Sequence, residues 1–371
     1  MTIFHRLIPR GNVAFLLNNA LLAGLIIECA FFASRSGTFL TVGNMRNIAI
    51  NSSILAVVVV ASTMLVVAGH IDLSIGSTIG LCGVLASLAA LNWQYGAAAA
   101  IVIGVAAGAG VGAVNGLMCS YLRFSPIIVT LGMLGAIRGG TLLITVDPLY
   151  GLDGVFNTLG GGVVAGFPVI VMIALAVFTL GGVFLALTPW GRYVYAIGVN
   201  PQAAFLSGLP TRALPFFLYV ATGASAGLAG VLFAARLGGA APADLGIGME
   251  LTALTAILLG GVAFAGGRGS LFGVLVAVTF LGVLQDGLVL LNVQPFVQQL
   301  AQGLVLVAAA ALDAMALYLS AHADRRRQVE QRQPRIEAVG VGSSSPGAPD
   351  TRGELMERGA ASPTHLMEGD F

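Results

Sequence analysis

Ten long apolar runs thread the chain, at roughly residues 13–34, 47–69, 73–91, 96–118, 125–146, 167–188, 214–236, 250–265, 270–290 and 295–319. A helix that crosses the hydrocarbon core of a bilayer needs about 20 predominantly apolar residues. Inside lipid the backbone cannot turn to water, and a helix satisfies its own N–H and C=O groups within one segment. Such a succession of runs admits one fold class: an all-α polytopic membrane protein of about ten transmembrane helices. The third and eighth runs are short and polar at their starts, so some helices are expected to be short or broken. Charge agrees with this class, because 9% of the residues are charged against about 25% in a soluble domain.

The arginines set the orientation, since cytoplasmic loops carry the excess of positive charge. With the N-terminus inside, Arg6, Arg10, Arg123, Arg192, Arg212, Arg268 and the Arg325–Arg326–Arg327 cluster fall on the inner side, nine against three (Arg35, Arg46 and Arg236) on the outer side. Arg138 lies within a run. Both termini are therefore expected in the cytoplasm: a short N-terminal segment over 1–12, a membrane domain over 13–319 and a tail over 320–371. The tail holds 15 of the 33 charged residues (17 basic plus 16 acidic) and has no apolar period. Such a composition predicts a disordered cytoplasmic tail. The first apolar run follows Arg6 and Arg10 as in a signal peptide, but it is too long and no small-residue cleavage site follows. It reads as a retained helix.

Several chemistries are excluded. All the basic residues are arginine, so the chain has no P-loop lysine to reach a nucleotide. Any ATP must be bound by another subunit, and no cofactor is expected in this chain. Cys29, Cys82 and Cys119 sit in apolar segments without metal-ligand or CxxC spacing. No nucleophile–base pair suggests an enzyme, and nothing suggests nucleic acid. The charges in or beside the runs are Glu28, Asp72, Arg138, Glu250, Asp286 and Asp313. Ion-coupled carriers place carboxylates near mid-membrane, whereas Asp286 and Asp313 lie toward the ends of their runs. They read as paired or snorkelling structural charges, which argues against an ion-coupled carrier.

The stretch "AGHIDLSIGS" at 68–77 interrupts two greasy runs with His70, Asp72, Ser74 and Ser77. Aspartate and serine suit a helix N-cap, and a carboxylate suits the positive end of the helix dipole. The stretch predicts a tight polar break between two helices. Glu250 and Thr252 open a similar stretch, "GIGMELTALTAILLGG", which hints at two related halves of the kind transporters use. Gly104, Gly108, Gly112 and Gly116 recur every fourth residue and line one helix face, which favours close helix packing. In the long inner loop 189–213, Asn200 is placed to cap a short helix with Pro201 at its first position. Ala203, Ala204, Phe205 and Leu206 then form an apolar face. That face rests on the bundle or docks a cytoplasmic partner.

Three stretches taken together resemble one family. "GHIDLSIGS" at 69–77, "GRYVYAIGVNPQAAFLSGLP" at 191–210 and "GMELTALTAILLGGVAFAGGRGSLFG" at 248–273 are similar to the permease subunits of bacterial monosaccharide ABC importers, of the ribose, xylose and autoinducer-2 type. The resemblance runs over roughly residues 45–315, and the tail departs from it. It implies a multi-pass protein of the bacterial inner membrane that imports a ribose- or xylose-like sugar. It also implies a cytoplasmic ABC ATPase, a periplasmic sugar-binding protein and a second permease copy, identical or a sister chain. Arg192, Asn200, Ala203, Ala204, Phe205, Ser207 and Gly208 then belong to the ATPase-docking loop. His70, Asp72, Ser74, Ser77, Glu250 and Thr252 lie near the pathway or shape its broken helices. The alternatives are an ABC permease for autoinducer-2 or branched-chain amino acids, and an ion-coupled carrier or channel acting alone.

Overall fold

The computed structural model of the protein describes residues 10–311 and 314. The expected segment before Arg10, Asp313, the end of the run 295–319 and the tail 320–371 lie outside the described residues. Each of the ten apolar runs contains a helix among the described residues: α1 (Arg10–Arg35), α2 (Val42–Val67), α3 (Ile75–Leu91), α4 (Ala97–Gly116), α5 (Pro126–Ile144), α7 (Val169–Leu187), α10 (Ala213–Leu237), α11 (Met249–Leu259), α12 (Leu271–Leu290) and α13 (Pro295–Ala311). Among the described residues, α2, α5, α7, α10, α12 and α4 together with the π turn that extends it (Leu117–Tyr121) are long and apolar enough to cross a membrane. Helices α3, α11 and α13 are shorter apolar helices.

Helix α11 departs from the expected run 250–265. It has 11 residues, or about 16 Å at the helical rise, roughly half the hydrocarbon core. Gly260 is its C-cap, and Gly261 adopts a left-handed φ of 81° that ends it. The chain before it, residues 241–248, is not helical.

The connections gather at two ends of the bundle. Between α5 and α7 come strand β1 (Leu149–Tyr150), helix α6 (Val155–Gly161) and the hairpin of β2 (Val163–Val164) and β3 (Phe167–Pro168). β1 pairs antiparallel with β4 (Gly239–Ala240), just past α10. At the other end of α10 lie the short helices α8 (Pro189–Val199) and α9 (Pro201–Leu206). There Gly267 N–H donates to Val67 O at 2.8 Å, joining the turn between α11 and α12 to the end of α2.

Helix α2 is the core. It is buried without interruption from Ser53 to Val67, as a helix apolar on all sides must be. The glycine face of α4 packs on α10. A Cβ at Gly108 would meet Gly223 O and, at 2.9 Å, the Gly227 backbone, and one at Gly112 would meet Tyr219 O. Gly116 faces Phe216 and Tyr219. Gly104 is less confined, with the Val231 side chain at 2.6 Å and Cys82 O at 3.2 Å. Gly104→Ala is therefore expected to cost about 1–3 kcal/mol by overpacking. Gly110→Ala, which enters open space, should be neutral or gain up to ~1 kcal/mol in helix propensity. Thermal unfolding of both variants in detergent checks the contrast.

Candidate functional site

The break between α2 and α3 is built from residues 68–74. Gly69 turns the chain with a φ of 82°. His70 N–H then closes onto Leu65 O at 3.0 Å. Asp72 is buried, and its Oδ1 accepts from Ser74 N–H at 2.8 Å and Ser74 Oγ at 2.6 Å. Asn115 of α4 reaches in from its side, donating from Nδ2 to Asp72 Oδ2 at 3.2 Å and to Ser74 Oγ at 2.9 Å. Tyr219 of α10, fully buried, donates its hydroxyl to Ile71 O at 3.2 Å and meets the His70 ring edge-on at 5.6 Å. Ser77 is buried on the first turn of α3.

This corrects the capping expectation. Ser74 is the N-cap residue of α3 but makes no side-chain cap, because its hydroxyl is taken by Asp72 and Asn115. Asp72 holds its own turn in the manner of an Asx turn and links it to α4. Asn115 and Tyr219 escaped the sequence reading. The signal for Asn115 was a lone amide in a run of Gly, Ala and Val, since a buried polar group in lipid must find a partner.

A second irregular segment lies against the first. Gly246 packs its backbone on Gly76 and Gly80 of α3, and the Glu250 carboxylate covers the Cα of Gly76. The starts of the two short helices α3 and α11 therefore meet. Thr252 Oγ1 donates back to Gly248 O at 3.1 Å. The intramembrane Arg138 of α5 donates from Nη1 to Leu245 O at 3.0 Å and Pro242 O at 3.5 Å. Unwound carbonyls at membrane depth need such a donor.

Asp286 is paired, accepting at 2.7 Å from Asn44 Nδ2, which also donates to Phe39 O at 3.0 Å. Both carboxylate oxygens of Glu28 in α1 are buried without a hydrogen-bond partner among the described residues.

Helices α8 and α9 make up most of the loop 189–213. Thr188 Oγ1 caps α8 by accepting from Gly191 N–H at 3.1 Å. Asn200 Oδ1 caps α9 by accepting from Ala203 N–H at 3.0 Å, and Ser207 Oγ donates to Ala203 O at 2.9 Å. Gly208 leaves the helix with a φ of 78°. Of the four apolar residues expected to form one face, Ala204 alone is buried. Ala203 and Arg192 are exposed, as are Phe205 at 61% and Leu206 at 78%. Helix α8 is tied to the bundle: Gly198 sits on the Val67 carbonyl, and the Tyr195 hydroxyl donates to Gly269 O at 3.0 Å. Burial pushes the Tyr195 phenol above its ordinary pKa.

A cavity of about 640 Å³ opens between α2, the segment joining α10 to α11, α12 and α13. Its polar wall includes Asn51, Ser52, Gln285, Gln298, Gln299 and Gln302. Exposed Arg236 and Asp244 line it too, and buried Ile54, Leu55 and Val278 form its apolar part. It lies at the far end of α10 from α9, 25 residues along the helix, or about 37 Å. The sequence reading missed this cavity. Its one local signal was Gln298 and Gln302, a helical turn apart in an apolar run.

Comparison with known proteins follows the same lines. The family described as "Branched-chain amino acid transport system / permease component" matches residues 44–310. The ribose import permease of Escherichia coli (strain K12) is 34% identical over 305 residues, covering 81% of this chain and 94% of the relative. The D-allose transport system permease of the same strain is 34% identical over 291 residues, covering 78% and 89%. The galactose/methyl galactoside import permease of Salmonella typhimurium (strain LT2) is 32% identical over 310 residues, covering 78% and 92%. No solved structure matches the chain. The chain belongs to this family of importer permeases, as a multi-pass inner-membrane transport subunit and not an enzyme.

Proposed function

We propose that this chain carries a monosaccharide of the ribose, allose or galactose kind from periplasm to cytoplasm. A separate cytoplasmic ATPase drives it, a periplasmic sugar-binding protein loads it, and a second permease copy completes the pathway. The observation that carries this reading is the α8–α9 loop. It presents bare apolar side chains, Phe205 and Leu206, on a short helix, and it is bonded through α8 to the turn between α11 and α12. A helix shaped in this way takes up movement from a docked partner. Closure of the ATPases would draw on α9, and Gly198 and Tyr195 would pass the movement to the end of α2 and to that turn. The break at 68–74 adjoins the end of α2, and the start of α3 carries the contact on to the segment 241–248 through Gly76 and Gly246. Alternating access of this kind needs discontinuous helices at the substrate path.

The reading includes ten spans with α3 and α11 as partial helices, and both termini in the cytoplasm. It places a cytoplasmic N-terminal segment over 1–12, the permease domain over 13–319 and a cytoplasmic tail over 320–371. Two observations favour the alternation: β1–β4 pairing gathers one set of connections, and the Val67–Gly267 bond gathers the other. The docking-loop residues Arg192, Asn200, Ala203, Phe205, Ser207 and Gly208 face the ATPase in this reading, with Ala204 anchoring them. His70, Asp72, Ser74, Ser77, Glu250 and Thr252 shape the breaks. The test is co-purification of the tagged chain from membranes, then sugar uptake in proteoliposomes. An ATPase and a binding protein should come with it, and uptake should require ATP. A chain that emerges alone and moves solute without ATP overturns the reading.

A further inference from the structure

We propose that the cavity between α2, α12 and α13 is a substrate site open to the outer side of this subunit, and that it selects uncharged, polyhydroxylated rings. The proposal rests on the import reading above and names the site that takes the sugar.

Position comes first. The cavity and the docking helix α9 lie at opposite ends of α10, so a cytoplasmic α9 puts the cavity at the outer end. Its volume of about 640 Å³ falls within the usual range for small-molecule sites, about 300–1,000 Å³.

The chemistry of the wall selects the class. Each sugar hydroxyl is at once a donor and an acceptor, and so is each side-chain amide. Asn51, Gln285, Gln299 and Gln302 bring such amides from three different helices. Gln298 is already oriented, because its amide donates to Val293 O at 2.8 Å. Ser52 Oγ lies in the same wall, buried and without a hydrogen-bond partner. Gly282 of α12 makes this possible, since a Cβ there would strike that hydroxyl. Amides in an apolar run are costly unless something pairs with them, and a cluster from three helices marks a wall meant to be wet or occupied. Phe233 adds an aromatic surface for the ring's C–H groups.

Charge works the other way. Arg236 and Asp244 are the charged residues in the lining, one of each sign, and both are exposed. The rest of the lining is uncharged, so the wall carries no net charge to complement an anion or a cation, while its amides pair with hydroxyls as donors and acceptors alike.

The test uses the full importer, with its ATPase and binding protein, in proteoliposomes supplied with a mixture of labelled ribose, allose and galactose or, separately, with labelled leucine. The Gln299→Leu/Gln302→Leu double variant should lose about tenfold or more of ATP-driven uptake, since it leaves hydroxyl groups unpaired in the site. ATPase co-purification should stay at the parent's level, which shows that the variant assembles. Undiminished uptake by a double variant that assembles overturns the cavity while leaving the import reading intact. A parent importer that takes up leucine and none of the sugars overturns the ligand class. A parent that takes up nothing with ATP overturns the import reading and the proposal with it. Should the double variant fail to assemble, Gln299→Cys gives an independent answer. A membrane-impermeant maleimide added outside should label it above the parent background, and the sugar mixture with binding protein should slow the labelling. Labelling no faster than the parent's, or unaffected by sugar, overturns the proposal.

Discussion

Replacing Phe205 and Leu206 together by arginine is expected to detach the ATPase and abolish ATP-driven uptake while the permease still inserts and folds. Both side chains are bare in the isolated subunit, at 61% and 78% exposure, so the change removes no internal packing. On docking, each apolar side chain would contribute roughly 1.5–3 kcal/mol of burial. Two unpaired charges in the covered surface would cost several kcal/mol more. A combined loss above about 3 kcal/mol lowers affinity at least about 100-fold. Co-purification with the ATPase, and ATP hydrolysis by the assembled importer, measure the effect. A double variant that still co-purifies and transports at the parent's rate removes α9 from the docking surface. Ala204 is left out of this variant on purpose. It is buried against the bundle, so a change there would test folding and docking at once.

Asp72→Ala should also eliminate transport, for a different reason. The carboxylate accepts three hydrogen bonds, from the Ser74 N–H, the Ser74 hydroxyl and Asn115. The substitution leaves these donors in a buried site with one acceptor fewer on each side, at about 1–3 kcal/mol for each group left unsatisfied. The break then keeps two side-chain ties, Asn115 to the Ser74 hydroxyl and Tyr219 to Ile71 O. We expect a lowered unfolding temperature in detergent and uptake reduced to background. Asp72→Asn keeps an acceptor oxygen and should recover part of both, which separates hydrogen bonding from charge. Normal stability and uptake in Asp72→Ala would mean that the break is held by packing alone.

The two variants differ in how far the sequence pointed to them. The α9 helix was legible: Asn200 and Pro201 announce a helix start, and the cap at Ala203 N–H forms as that spacing predicts. Which of its apolar residues face outward was not legible, because a six-residue helix has too little period to show a face. The break at 68–74 was likewise legible as a break, since Gly, His, Asp and Ser cannot continue an apolar helix without partners. Its partners were not.

The glycine face of α4 is an intermediate case. A spacing of four defines one helix face by geometry alone. That the face meets Gly223 and Gly227 of α10 depends on how the helices are arranged, and the glycines of α10 carry no mark that names their mate.

The sequence by itself determined what is local: helices as long as the bilayer is thick, the cap at Asn200, the polar break at Asp72, and the family to which those motifs point. These follow from bilayer thickness and helical period, which act over a few neighbouring residues. Tertiary structure alone decided that Asp72 meets Asn115 43 residues on, that Arg138 supports the carbonyl of Leu245 107 residues on, and that amides from α2, α12 and α13 share one cavity. The physical reason is that an unpaired polar group is costly in lipid, which favours partners for buried polar atoms but leaves the choice among distant ones to the packing of whole helices.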